Sequence, residues 1–194
     1  YSINSEDYTQ FYEGQYKVVA DYDRKLYGTE FIERSLLSSQ ISGSHYISNL
    51  SSLNINWNAS YSESDRNEPD TKTTFYQREL GTEDPFFTPL TTIPSANVGQ
   101  RFYSKLKDIK RNFGTDFEMK FLKTGKRNFS KIKLGTFAVG TDRNFEARNF
   151  APANAGSFMI GFEPLETIFG EQNIDSTKLY YVEITDKSDK YAAV

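Results

Sequence analysis

The single histidine of this 194-residue chain, His45, is the first candidate for metal or acid–base chemistry. A neutral imidazole can bind a metal or accept a proton, but the usual zinc sites combine several His or Cys ligands. The chain has no cysteine. We therefore expect a structural role for His45, and no catalytic residue, metal or cofactor.

An acidic run is the next candidate, because oxygen-rich loops bind calcium. Its spacing does not match an EF-hand, and a proline lies within it (Glu63, Asp65, Asn67, Glu68, Pro69, Asp70). We expect a solvated loop here, with a calcium site as the alternative. No pair among the 26 acidic residues is singled out as a glycosidase pair.

Cations interleaved with aromatic rings could line a nucleic-acid groove. They are Lys105, Lys107, Lys110, Arg111, Lys123, Lys126, Arg127, Lys131 and Lys133. The net charge is −3 and the pI about 5.3, so we expect no nucleic-acid partner. Four rings could stack on sugars: Trp57, Tyr61, Phe117 and Phe121. On a lipid-facing side of a strand we expect them instead to form a barrel wall and its interfacial girdles.

A row of amides offers the most distinctive binding chemistry. Asn54, Asn56 and Asn58 can both donate and accept hydrogen bonds. They alternate with Leu53, Ile55, Trp57, Ala59 and Tyr61. A period of two places the two sets on opposite faces of a β-strand. The length of this alternating segment, residues 53–61, matches the ~9–11 residues of a strand that crosses a bilayer.

Neighbouring segments repeat this alternation. Leu37, Ile41 and Ile47 share one parity and lead through a polar turn, residues 48–52, into the strand at Leu53, which predicts an antiparallel hairpin. A second hairpin is predicted from Phe113, Phe117, Met119 and Phe121, a basic turn at 122–130, and Ile132, Leu134 and Ala138. Phe137, Val139 and Phe145 break the second pattern, so we expect a β-bulge near 139–143.

The composition agrees with a two-faced sheet. Aromatic residues make up 15% of the chain, whereas hydrophobic residues make up only 37% and the mean hydropathy is −0.63. A barrel wall meets lipid on one face and a polar lumen on the other, which keeps hydropathy low. No apolar run approaches the ~18–20 residues of a spanning helix, so an all-β, antiparallel transmembrane barrel segment is the expected fold.

The connections differ in length, and all six prolines lie in two long segments. We divide the chain into a hairpin at 29–65, an extracellular loop at 66–100, a hairpin at 101–150 and an extracellular loop at 151–194. Short periplasmic turns and long extracellular loops are typical of outer-membrane barrels. Residues 1–194 would then be a partial barrel domain, an internal fragment or mature piece without a plug domain.

Several residues together resemble a barrel hairpin of TonB-dependent receptors from Bacteroidetes-type bacteria. They are Gly43 with His45, Trp57, Ala59 to Ser62, Glu68 to Asp70, and the later group Asp142, Arg143, Phe145, Ala147 and Arg148. The resemblance covers roughly residues 29–194. It implies a large barrel, of 22 strands in the family, with about four to six of them here.

The resemblance further implies a wall and loop segment of a transporter in the bacterial cell outer membrane that imports a nutrient or other ligand. The implied partners are the remainder of the barrel and its plug, a TonB-type energy-coupling complex, outer-membrane lipid and, in some members, a surface lipoprotein. In such a barrel Asn54, Asn56 and Asn58 would line the lumen, where they bind ligand or hydrogen-bond the plug or water. Two alternatives stay open: a soluble β-sandwich that binds carbohydrate, and an outer-membrane barrel for adhesion or secretion.

Overall fold

The computed structural model describes residues 1–18, 21–50, 52–95, 97–124, 128–156 and 164–193. It is an all-β chain whose strands form one antiparallel, unclosed sheet in the order of the sequence. The strands are β1 (Ser2–Tyr16), β2 (Tyr22–Ile47), β3 (Leu53–Glu79), β4 (Gln100–Thr124), β5 (Asn128–Asn154) and β6 (Leu179–Ala193). A four-residue helix α1 (Leu165–Ile168) and a 3₁₀ turn (Glu171–Asn173) lie between β5 and β6. No helix in the described part of the chain is long and apolar enough to span a membrane.

Both predicted hairpins are present, as β2–β3 and β4–β5. The tight turn after Ile47 is closed by hydrogen bonds from Leu50 N–H to Ile47 and from Leu53 N–H to Leu50. Ser52, directly before β3, has a positive φ of 53°. Of the predicted basic turn, the flanks belong to β4 and β5, and residues 125–127 lie outside the described residues.

The strands are much longer than predicted, and the loops correspondingly shorter. β3 continues to Glu79, so the predicted loop 66–100 is wrong for its first part. β6 occupies about the last third of the second predicted loop, and β1 was not predicted at all. In these regions both faces of the strands are polar, and alternation gives no signal.

A bulge interrupts β3 where Pro69 and Asp70 lie. Glu68 pairs with Ser104 and Thr71 with Phe102, so β3 contains one more residue than β4 between these pairs. A matching shift against β2 lies between Thr29 and Glu33. Proline lacks the N–H that the ladder needs, and bulges are among the few places a sheet accepts it. The bulge therefore divides the sheet into a lower part, near the turn after Ile47, and an upper part.

The predicted bulge near 139–143 is wrong. β4 and β5 pair without interruption from Arg101↔Phe150 to Phe121↔Ser130. Phe137, Val139 and Phe145 therefore lie on the face opposite Leu134 and Ala138. The sequence pattern misled because a mainly polar face still contains some apolar side chains.

Buried residues concentrate in the upper part, where the connections after β3 and β5 pack on the sheet. They include Val98, Ala151, Ala153, Ile168 and Leu179. Asn154 N–H donates to the carbonyl of Thr91, which ties the connection after β3 to β5, and Ala155 N–H donates to the carbonyl of Lys178 within the connection after β5. Elsewhere, among the described residues, the strands contact mainly their neighbours in the sheet, so the described lower part is a single layer.

Candidate functional site: the two faces of the lower sheet

Residues that pair directly across antiparallel strands share a face, so the register assigns every side chain of the lower sheet. We call the face that holds Trp57 the apolar face and the face that holds Asn56 the polar face. The apolar residues on the former form an apolar band across β2 to β5: Ile41, Ile47, Leu53, Ile55, Trp57, Ala59, Phe113, Phe117, Met119, Ile132, Leu134 and Ala138. The predicted parities of both hairpins are thereby confirmed.

The apolar band is uncovered. Ile41 is 62% exposed and Leu134 67% exposed, although a folded chain in water would bury such side chains. A monomeric soluble protein rarely exposes so extensive an apolar surface. The band therefore requires an apolar environment or a partner.

Trp57 lies at the middle of the band, and its contacts account for the residue types at positions 43 and 45. It pairs with Gly43, and its ring lies so close that a Cβ at Gly43 would be 2.6 Å from the indole. The indole N–H donates to His45 Nε2 at 3.1 Å. His45 thus satisfies the one polar group of the tryptophan, and its predicted structural role has a physical basis.

Charged residues bound the band on the side toward the bulge. Tyr61 pairs with Arg111, and the Tyr61 hydroxyl donates to Glu63 at 2.6 Å. Glu63 also forms an ion pair with Lys107, and Arg111 one with Asp142. An aromatic hydroxyl and ion pairs directly beside apolar rings are typical of a membrane–water interface.

The polar face contains the predicted amide row. Asn54, Asn56 and Asn58 follow one another on β3, and the last two are exposed. A Cβ at Gly114, the partner of Asn58, would lie 3.2 Å from the Asn58 amide and 3.3 Å from the Phe137 ring. The amide therefore rests on a glycine beside an aromatic ring, which sequence reasoning did not connect with it.

Charges extend this polar face toward the end of the sheet that holds the turn after Ile47. Glu118 contacts Lys131 at 2.8 Å and Lys133 at 3.0 Å. Asp116 lies over Gly135, where an added Cβ would approach its Oδ1 to 2.6 Å. Amides, carboxylates and ammonium groups together form a surface suited to water and polar solutes.

The acidic run does not form a loop. Its residues belong to β3, and three of its four carboxylates have cationic partners: Glu63 with Lys107, Glu68 with Arg66, and Asp70 with Arg101. The fourth, Asp65, accepts a hydrogen bond from the Ser35 hydroxyl. No group of three or more His, Cys, Asp or Glu side chains suited to a metal occurs among the described residues. The acidic run therefore belongs to the bulge of β3 and to the strand segment that leads into it.

Comparison with protein families, curated proteins and solved structures finds no match.

Proposed function

We propose that this chain is a wall and loop segment of a TonB-dependent transporter in the bacterial outer membrane. The observation that carries the membrane part is the uncovered apolar band on one face of a single-layer sheet. Hydrocarbon on that side offsets the exposure of Ile41 and Leu134, and water on the other side solvates the amide row.

The dimensions of the band support this proposal. From Leu53 to Tyr61 the strand rises roughly 26 Å at about 3.3 Å per residue. At the strand tilt of about 35–45° in outer-membrane barrels, this length crosses about 20 Å, which is most of their lipid-facing band of about 25 Å. The interface on the long-loop side would then lie at Tyr61 and Arg111, and the tight turn after Ile47 would face the periplasm.

The open sheet supports a larger barrel. An unpaired sheet edge in lipid leaves backbone groups without hydrogen bonds, so membrane sheets close on themselves. Further strands of the parent protein would complete the wall, as in the 22-stranded barrels of the family. Three parts of the proposal rest on the sequence resemblance: the import of a nutrient, the plug and the energy-coupling complex. A plug domain and a coupling box encoded beside this segment in the gene would support all three.

Within this proposal Asn54, Asn56 and Asn58 line the lumen. Their exposed amides would contact water, the plug or a passing solute. A soluble β-sandwich fits less well, because the described residues form one sheet with no second sheet packed on the apolar band.

The only tryptophan gives a direct test. We expect brominated acyl chains to quench most Trp57 fluorescence in the complete parent barrel, with its other tryptophans replaced by phenylalanine and refolded into lipid bilayers, because the indole lies within the band. The matched control is Trp57→Phe combined with Phe137→Trp, which moves the indole to the polar face and should largely escape quenching. Equal quenching of both proteins, or a chain that stays folded and monomeric without detergent, would contradict the proposal.

A further inference from the structure

A cleft of about 380 Å³ lies in the upper sheet, away from the apolar band and the amide row. Its floor is backbone, provided by Gly28, Thr73 and Gly99, and its walls are Tyr27, Lys72, Arg101, Phe169 and Tyr181. The volume lies within the range of small-molecule sites. The wall residues come from β2, β3, β4, β6 and the segment after α1, so the cleft depends on the whole upper sheet.

Gly99 keeps the floor low between the aromatic walls. Gly99 has a φ of +59°, and a Cβ there would lie 2.4 Å from the Phe169 ring and 2.9 Å from Pro152. Tyr181 pairs with Pro152 and so lies on the same face. Tyr181 therefore lines the cleft together with Gly99 and Phe169. Any larger residue at Gly99 would meet backbone strain as well as these contacts.

The charge of the cleft is positive. Its lining includes Lys72 and Arg101 but no carboxylate. Arg101 donates two hydrogen bonds to Asp70, from Nε at 2.9 Å and from Nη2 at 2.6 Å, which pairs its charge. Lys72 lies 3.4 Å from the same carboxylate and is 60% exposed, so one cation is left over to meet an anion.

The aromatic walls supply flat apolar surfaces with polar edges. Tyr27, Phe169 and Tyr181 are all half-buried and so are held in place while still accessible. Burial raises the pKa of Tyr181 to about 12, so its hydroxyl stays protonated at neutral pH. Aromatic rings of this kind stack on flat ligands, and the hydroxyl donates at their edge.

We infer that this cleft binds a sugar ring that carries a carboxylate. The rings of Tyr27, Phe169 and Tyr181 would pack on the faces of the sugar, and Lys72 would pair with its carboxylate. The site lies on the same face as Trp57 but above the bulge, roughly 30 Å along the strand from Tyr61. A ligand there would not share a surface with the amide row, and the inference does not depend on transport.

Binding of digalacturonic acid to the complete, detergent-solubilised parent barrel tests this inference by calorimetry. The matched neutral probe is its dimethyl ester. We expect saturable binding of the acid, and a loss of about tenfold in affinity in Lys72→Gln, because a charge-assisted hydrogen bond of this size is removed. The ester should bind wild type and Lys72→Gln equally.

The control variant is Lys105→Gln, an exposed lysine of β4 outside the cleft. It should bind the acid as wild type does, and Trp57 emission should be the same in all three proteins. The inference is overturned if wild type shows no saturable binding of the acid, if Lys105→Gln loses as much affinity as Lys72→Gln, or if Lys72→Gln weakens ester and acid equally. Quenching of Trp57 by lipid is measured separately, so failure of either proposal leaves the other intact.

Discussion

At the scale of single residues, the cross-strand group of Gly43, His45 and Trp57 shows why small and large residues face each other in a wall. The glycine has no Cβ, so the indole can lie flat against the strand. The imidazole accepts the indole N–H, which would otherwise have no partner among the apolar side chains of the band. Three residues thus place one large ring in the band without an unsatisfied polar group.

Gly43→Ala should displace the Trp57 ring, because the new methyl group would lie 2.6 Å from it. We expect a shifted Trp57 emission maximum and a loss of about 1–3 kcal/mol in the free energy of unfolding, as in overpacked sites. Gly14→Ala is the control, since nothing lies within 4 Å of its added Cβ. Unchanged emission in Gly43→Ala would show that the ring does not rest on this glycine.

Asp70 gives a prediction for pH. Burial raises its pKa, but the hydrogen bonds and charge of Arg101 and the charge of Lys72 outweigh that effect, so the pKa of Asp70 lies below its ordinary value. The unfolded chain therefore takes up this proton first as the pH falls. The stabilisation is complete above the ordinary pKa of an aspartate and is lost as the pH falls through the lower folded value.

Asp70→Asn should accordingly cost about 1 kcal/mol at pH 7, a modest figure because the pair is partly exposed. Its stability should also depend less on pH below about pH 4 than that of wild type. The midpoint of guanidinium unfolding, followed by circular dichroism, measures both. Asp84→Asn, in an exposed loop position, should match wild type throughout, and a wild-type profile parallel to that of Asp70→Asn would contradict the assignment.

At the scale of elements, the bulge in β3 explains how one strand serves two environments. Below it, Glu63 and Asp65 share the face of Trp57. Above it, the extra residue inverts the parity of β3, so Lys72 joins Arg101 and Thr29 on that face. The inversion brings Lys72 into the cleft wall.

The β4–β5 hairpin offers a matched pair of exposed apolar side chains on opposite faces. Leu134 is 67% exposed in the apolar band, and Phe137 is 71% exposed on the polar face. We expect Leu134→Arg to cost about 2 kcal/mol in bilayers, because a lipid-facing arginine near mid-depth is destabilising. Phe137→Arg should cost far less when unfolding from bilayers is measured, and equal costs would contradict the assignment of faces.

The parts of the fold that could be predicted from sequence are those where the two faces differ chemically. Leu53 to Tyr61 alternates strictly, and its hairpin was predicted correctly. The upper strands were missed because polar residues occupy both faces, and prolines were misleading: Pro69 lies in a bulge, and Pro152 is buried within β5. The cleft gave no local signal, since Tyr27, Lys72 and Tyr181 are far apart in the chain.

At the scale of the whole molecule, the six strands are not level with one another. β1 pairs with β2 only as far as Leu36, and β6 pairs with β5 only as far as Thr141. The apolar band is therefore built from β2 to β5 alone. All four of these strands continue past the level of the bulge into the upper sheet. The band and the cleft are therefore parts of one continuous structure.

That unequal pairing makes the outer edges of the band templates for whatever strand lies beside them. Leu37–Ile47 and Asn128–Gly140 have no strand on their outer side among the described residues. In an antiparallel partner, the residues opposite Ile41 and Leu134 would point to lipid, and those opposite Ser42 and Gly135 to water. The two edges thus predict which residues of a neighbouring strand should be apolar and which polar. Any segment that adjoins this one can be compared with that pattern.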